Sequence, residues 1–228
     1  MNSSSRRGGS GTHARLTHRR SYADPCGVAR ALDAVGERWA LLVVRELSLG
    51  PQRFGQLLIG LPDVSPNVLS QRLRDLEDAG VLRRYPLDPP ANTTVYELTD
   101  QGYALDPVLQ ALGRWGASRP MTTTREMSAV SFLRSLRVLL APHAPDGEYG
   151  LQLDGESFAL SIAGGTAQVT RGKPRHPEAT LSGDVHAVRT ALLSGGSLRE
   201  LESAGSLTIS GDRPAAERLT TQFRVPPR

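Results

Sequence analysis

The stretch that most constrains this chain runs from Val64 to Leu98, VSPNVLSQRLRDLEDAGVLRRYPLDPPANTTVYEL, where a helical period gives way to a strand period. Ser65 can accept a hydrogen bond from the free amides of a first helical turn, and Pro66 stands where its missing N–H costs nothing. The spacing therefore predicts a helix that starts at Ser65 and stops at Gly80. Leu69, Leu73 and Leu76 fall on one face of it; Asn67, Ser70, Gln71 and Arg74 fall on the other. A merely solvated face is usually rich in Glu and Lys. This one carries amides, a hydroxyl and a guanidinium, groups that can hydrogen-bond base edges. Taken alone, the face is better read as a polar helix turned to solvent.

The neighbours decide between those readings. Upstream, Trp39-Ala-Leu-Leu-Val-Val-Arg-Glu-Leu47 is an amphipathic helix ended by Gly50-Pro51, and Arg53-Phe-Gly-Gln-Leu-Leu58 is a short helix closed by Gly60 and Pro62. Downstream, Val81–Tyr85 and Thr94–Leu98 read as strands joined by a Pro- and Asn-rich connection from Pro86 to Thr93. Helix, short helix, polar helix and basic hairpin is the order of a winged helix-turn-helix. Its expected partner is double-stranded DNA, and the polar helix would read bases while the hairpin positions phosphates. The candidate DNA contacts are Arg53, Ser65, Asn67, Ser70, Gln71, Arg72 and Arg74, with Arg83, Arg84, Asn92, Thr93 and Thr94 on the hairpin. Asp75, Glu77 and Asp78 are expected at the helix end remote from the groove.

From Cys26 to Trp115 the chain resembles the HxlR-type regulators within the MarR-like winged-helix group. The resemblance rests on Gly36-Glu-Arg-Trp39, Arg45-Glu-Leu47, Gly50-Pro-Gln-Arg-Phe54, Leu61-Pro-Asp-Val-Ser65, Leu69-Ser-Gln-Arg-Leu-Arg-Asp-Leu76, Gly80-Val-Leu82 and Tyr96-Glu-Leu-Thr99 with Gly102. It implies a homodimeric, DNA-binding transcriptional regulator. Two positions depart from the family pattern: two glycines and a Lys usually stand where this chain has Gly36-Glu37-Arg38, and the cysteine is usually followed by a proline rather than preceded by one.

Asp106–Trp115, DPVLQALGRW, reads as continuing the helix opened by Thr99-Asp-Gln, with Val108, Leu109, Leu112 and Trp115 in a helical stripe. The stripe must be buried, either on a partner subunit, with help from the helix around Val28–Val35, or back on its own subunit. A twofold dimer would read an inverted-repeat operator with half-sites about one helical turn apart.

At 228 residues the chain can hold two ordinary domains. The absence of a membrane-length apolar run and of a hydrophobic signal core predicts a cytoplasmic protein, and one cysteine excludes an intrachain disulfide. Charge is unevenly placed. Residues 1–20 hold five Arg and no acid, whereas residues 21–120 hold ten Arg against twelve acids. Residues 1–20 read as a disordered basic tail, either an arm that touches phosphates or an extension without a role. Residues 21–118 read as the DNA-binding and dimerisation domain, a mildly acidic unit whose recognition must rest on a few placed groups.

Residues 119–127 read as a linker, and residues 128–226 as a second domain. Val130, Leu133, Leu136, Leu139 and Leu140 predict a helix ending at Pro142; strands follow at 149–153, 158–162 and 166–169, turned at Asp154-Gly155 and Gly164-Gly165. A strand at 179–182, a helix from Asp184 to Leu193, a strand at 206–209 and a last helix capped by Asp212 complete an α+β unit, an antiparallel sheet covered by helices. Pro177-Glu-Ala-Thr-Leu-Ser-Gly183, Leu192-Leu-Ser-Gly195 and Gly205-Ser-Leu-Thr-Ile-Ser-Gly-Asp212 resemble the sterol-carrier-type domain, which implies a lipid-sized cavity. Phe132, Leu136, Phe158, Leu160, Ile162, Leu192 and Leu207 are its candidate lining, for a small hydrophobic effector; the alternative is an architectural role with those residues as core.

Cys26 offers a competing switch. The resemblance brings in relatives that sense oxidants or electrophiles through a cysteine before the first helix, and a thiol at a helix N-terminus can have a lowered pKa; an inert cysteine is the other reading. A lipid carrier is the remote alternative. Nothing points to catalysis, a cofactor or a metal. His13, His18, His143, His176 and His186 are scattered, and Asp146, Glu148, Asp154 and Glu156 flank turns where solvation accounts for them.

Overall fold

The structure, a computed structural model, describes residues 21–87, 93–120, 123 and 125–224. The expected basic tail, Asn92 and part of the expected linker lie outside the described residues. The chain opens with α1 (Gly27–Val35), α2 (Ala40–Leu47), β1 (Gln52–Arg53), α3 (Phe54–Gly60) and α4 (Pro66–Asp78). Ser65 caps α4 by accepting from the Val68 amide at 3.4 Å, with Pro66 in the first turn, and Gly80 leaves the helix at φ +72°. Leu69, Leu73 and Leu76 point inward and are buried, meeting Val43, Val44 and Leu47 of α2 in one core.

Strands β2 (Leu82–Pro86) and β3 (Thr94–Leu98) form the hairpin, with β1 on the outer side of β3 in the order β1-β3-β2. β1 was not expected; it is two residues that pair Gln52 with Tyr96 and Arg53 with Val95. The segment after β3 corrects a second expectation. Instead of one helix from Thr99 to Trp115, there are α5 (Asp100–Tyr103) and α6 (Asp106–Ala117). Pro107 sits in the first turn of α6, where it has no amide to bond back toward Tyr103 and its ring would collide with that carbonyl, so the helix restarts there. Leu105 and Leu109 turn toward the first core, while Val108, Leu112 and Trp115 stay exposed.

The rest of the chain is α7 (Ala129–Leu139), β4 (Gly147–Leu153), β5 (Glu156–Ala163), β6 (Thr166–Arg171), β7 (Ala179–Gly183), α8 (Val185–Leu193), α9 (Leu198–Ser203), β8 (Leu207–Gly211) and α10 (Arg213–Thr220). The five strands lie in the order β6-β5-β4-β7-β8. This is not a wholly antiparallel sheet. β7 runs parallel to β4, Tyr149 opposite Ala179 and Leu153 opposite Gly183, because the chain leaves the β6 edge and crosses to the far side of β4 before pairing again. Period-two alternation puts Tyr149, Leu151, Leu153, Phe158, Leu160 and Ile162 on one buried face, where the four helices cover them in a second core. Helix α9 was not expected, although Ser197 three residues before Glu200 is a start signal and does cap it.

The two cores meet through charge. Glu46, at the end of α2, is 2% exposed, accepts from the Ser128 hydroxyl at 2.9 Å and is paired with Arg45. Arg134 of α7, 8% exposed, donates to the Ser48 hydroxyl at 2.9 Å and to Asp106 of α6 at 2.7 Å, and Arg137 holds the same carboxylate through two further bonds. Leu49, between α2 and β1, inserts into the second core. Even the expected linker is fastened: Arg125 pairs with Asp63, and Glu126 reaches His186 and Arg189.

Candidate nucleic-acid interface

Helix α4 presents Asn67 and Arg74 to solvent, with Ser70 and Gln71 half-buried beside them. The face is wired internally. Arg74 donates to the Gln71 side-chain oxygen at 2.7 Å, and the Gln71 amide nitrogen donates to Asp75 at 2.8 Å. Asp75, expected to stand apart, therefore fixes the orientation of Gln71. Ser65 spends its side chain on the helix cap. Arg72 turns away from this row, 16% exposed, and pairs with Asp75 at 3.0 Å and Glu37 at 3.6 Å. It fastens α4 to the turn before α2.

On the hairpin, Arg83 lies across from Glu97 in the strand register and makes a two-pronged contact to one of its oxygens, at 2.7 and 3.0 Å. That carboxylate holds the Arg83 guanidinium more firmly protonated than usual. Arg84 pairs with Glu77 of α4 at 3.2 Å, so a second carboxylate expected to stand apart ties the hairpin to the helix. Both arginines remain about two-thirds exposed, at 67% and 60%. The Leu87 amide bonds the Thr93 carbonyl at 2.8 Å and closes the hairpin; Thr94 is exposed one residue on.

Arg53, Thr93 and Thr94 come together with Phe54, Gly55, Gln56, Ile59 and Tyr96 around an open groove between α3 and the hairpin. The register explains the meeting: Arg53 pairs nearer the hairpin tip than Gln52 does, so the chain enters α3 heading toward that tip. The Gln56 side-chain oxygen accepts from the Arg53 amide at 2.9 Å and pins the start of α3 there. Neither Gln56 nor the exposed Ile59 was singled out in the sequence. The capping position of Gln56 was a usable signal; Ile59, 82% exposed, had none.

Cys26 is exposed at the N-terminal end of α1. The Val28 and Ala29 amides lower its thiol pKa, against a small opposing effect of burial. The seven residues expected to line a lipid cavity are all buried, Leu207 the most exposed of them at 3%, and they pack against one another and their neighbours in the second core. Two open surface depressions lie elsewhere, at the groove by α3 and at a polar hollow between Asp154 and Thr208. Among the described residues no three His, Cys, Asp or Glu side chains are placed to hold a metal ion, and no helix is long and apolar enough to cross a membrane.

A capped polar helix, the short helix before it and a basic three-stranded sheet on one core define a winged helix-turn-helix protein. The HxlR-like helix-turn-helix family model matches residues 34–124. The HTH-type transcriptional regulator YvaP of Bacillus subtilis is 40% identical over 86 residues, covering 38% of this chain and 80% of YvaP. The regulator sll1512 of Synechocystis is 38% identical over 114 residues, 46% of this chain and 82% of that one. Among solved structures, the reduced form of the transcriptional regulator YodB from B. subtilis shares 32% identity over 40% of this chain and 90% of its own, with a TM-score of 0.37. The chain belongs to the HxlR-like helix-turn-helix family, a family of transcriptional regulators.

Proposed function

We propose that the protein is a sequence-specific, dimeric DNA-binding regulator working in the cytoplasm, with residues 21–118 as its DNA-binding and dimerisation unit and an inverted repeat as its operator. The observation that carries this reading is the coupled row Asn67, Ser70, Gln71 and Arg74 on a capped helix whose flank is tied to an arginine-bearing hairpin. Gln71 and Arg74 are already oriented by hydrogen bonds, so presenting them to base edges costs little additional ordering. The carboxylates that pair Arg83 and Arg84 hold those groups in place until phosphates replace them. Thr93 and Thr94 belong to the same hairpin surface, Arg53 flanks it at the start of α3, and Asn92 is kept as a contact on its sequence position alone.

Two substitutions separate reading from positioning. Gln71→Ala should cut the preference for operator over scrambled duplex by about 10-fold or more, since one bidentate base contact is worth roughly 1–3 kcal/mol. Arg84→Ala should instead weaken every sequence alike and lower the salt slope by about 1. Titrating both variants against operator and scrambled DNA checks this; an unchanged preference in Gln71→Ala would remove the assigned orientation of α4.

A second reading concerns Cys26, favoured by its exposure and by the amides that lower its pKa. With one cysteine per chain, an oxidised form would link two copies or take up a small thiol. Under that reading, diamide-treated wild type should lose operator affinity, and Cys26→Ser should not. Equal affinities for the two proteins, oxidised and reduced, would dispose of the sensor.

For residues 128–226 we keep the sterol-carrier-like reading of the fold, with Phe132, Leu136, Phe158, Leu160, Ile162, Leu192 and Leu207 as its apolar interior. Those side chains fill one another's space, so a hydrophobic effector would have to part helices from sheet. The ion-paired contact of α7 with α2 and α6 would carry such an opening toward the DNA-binding unit. A lipid retained through purification, seen by native mass spectrometry, would support the effector reading over the architectural one.

A further inference from the structure

The chain's one lysine stands in Gly172-Lys-Pro-Arg-His176, the crossing from β6 to β7. Lys173, Arg175 and His176 are exposed within four residues of each other, and among the described residues no ion pair engages them. Pro174 and Pro177 fix two backbone angles in the crossing, which bends at Arg175 and His176, so the charges are presented by a segment with restricted backbone freedom. Where this segment begins is set by three contacts. The Gly172 amide bonds the Ser157 carbonyl at 2.7 Å, and Gly172 turns the chain out of the strand at φ +118°. Arg171 pairs with Glu156, one residue before Ser157. Glu156 in turn lies 3.5 Å from the side-chain amide nitrogen of Gln56, at the start of α3. That start faces the hairpin tip, beside the open groove that Arg53, Thr93 and Thr94 line.

We infer that Lys173 and Arg175, with His176 beside them, form a further phosphate-contacting element that extends the DNA footprint past the helix and hairpin. The inference rests on the DNA-binding reading above and adds the surface on which the flanking duplex lies. Three observations support it: the sheet end where the loop departs is joined to the start of α3 by the Glu156–Gln56 contact; Arg171 neutralises Glu156 there; and among the described residues Lys173 and Arg175 have no carboxylate to leave before meeting a phosphate. Asp154, at the adjacent β4–β5 turn, and Asp184, just after β7, are exposed negative charges at the same end, around the polar hollow. The contact is to backbone charge, so it adds affinity for any duplex long enough to reach the loop, without sequence preference.

The test uses the full chain with Lys173→Ala and Arg175→Ala combined, and the charge-preserving pair Lys173→Arg and Arg175→Lys. Two duplexes are used: one trimmed to about 20 base pairs, enough for two half-sites a helical turn apart, and one with about ten random base pairs added at each end. Salt titrations should give the wild type a steeper log affinity against log salt on the long duplex than on the short one. Since each phosphate contact contributes about 0.9 to that slope, the alanine pair should flatten the long-duplex slope by about 2 to 4 for a dimer. It should leave the trimmed duplex unchanged, and the charge-preserving pair should restore the wild-type slope. Equal slopes for wild type and the alanine pair on the long duplex overturn the inference, as does failure of the charge-preserving pair to restore them. The effect is independent of sequence, so a wild type that shows the slope difference but prefers no operator would defeat the sequence-specific reading and leave this one standing.

Discussion

On the proposed reading of a dimer on an inverted repeat, replacing Val28 and Trp115 together by Asp should leave a folded monomer that binds the operator on the order of 100-fold more weakly. Val28 on α1 and Trp115 on α6 are 68% and 65% exposed, with Leu32, Val108 and Leu112 spaced helically along the same two helices and each more than two-fifths exposed. Four helix positions and an indole left in water give each of the two helices an exposed apolar stripe, as an interaction surface would have. Because the two substituted side chains are largely in solvent in the single chain, their loss costs the monomer little, within about 0.5 kcal/mol for surface positions. In a dimer each would bury a carboxylate without a partner, at a cost of roughly 2 kcal/mol or more. Losing the second subunit turns the second half-site contact back into a bimolecular event, which is the source of the large fall in affinity. Native mass spectrometry reads the subunit count, and a titration against operator duplex reads the affinity. A double variant that stays dimeric with wild-type affinity would mean that the face serves something else.

What the sequence exposed and what it hid follow from the range of the interactions. The polar helix was legible because its signals are local: a capping serine, a proline in the first turn, three leucines in register and a glycine beyond the end. Strand β1 was not, since two residues carry no period and their partner Tyr96 lies far along the chain. The parallel pairing of β7 with β4 has the same cause: burial alternation fixes which face a strand turns inward, but not which neighbour it finds. The restart at Asp106 was within reach, because Pro107 is a local breaker that the apolar stripe outweighed in the reading. At the candidate site the residue types were visible, but their wiring was not. Arg72–Asp75 and Gln71–Arg74 are i,i+3 neighbours that helical spacing allows, but that Arg72 also reaches Glu37 depends on how α4 seats against the turn before α2, which no spacing reports. The charged contact between the two cores was hidden most completely, joining residues 28 to 86 positions apart.

That contact carries the other large effect. Asp106 accepts hydrogen bonds from Arg134 and Arg137 of α7, and from Gln110 of its own helix. Asp106→Ala would leave Arg134, 8% exposed, with the Ser48 hydroxyl and no counter-charge, facing Arg137. Removing one partner of a buried pair costs about 3–5 kcal/mol, and Asp106 keeps 27% of its side-chain surface in water, so the low end, about 3 kcal/mol, is expected. For a chain of this size that is a fall in Tm of roughly 6–12 °C. The loss should appear as an early transition separating the two cores, because the clamp joins α7 to the helix that bears the exposed stripe. Adding Arg134→Met to Asp106→Leu should recover part of the loss, by removing the stranded cation. The pH dependence has a definite sign. Burial pushes the Asp106 carboxyl up, but the Arg137 and Arg134 hydrogen bonds and charges outweigh it and hold the pKa below the usual Asp value. Its stabilisation is therefore full above the unfolded pKa of about 3.9 and lost as pH falls through the folded value, so wild type and Asp106→Asn should converge in acid. Glu46 has the opposite slope. Burial outweighs its bonds from Arg45 and Ser128 and raises its pKa, so wild type should lose stability as pH rises from about 4.3 through that raised value, a loss that Glu46→Gln removes. Calorimetry from acid to neutral pH checks both. A single transition in Asp106→Ala, within a degree or so of wild type at neutral pH, would mean that the cores are held together by something other than this clamp.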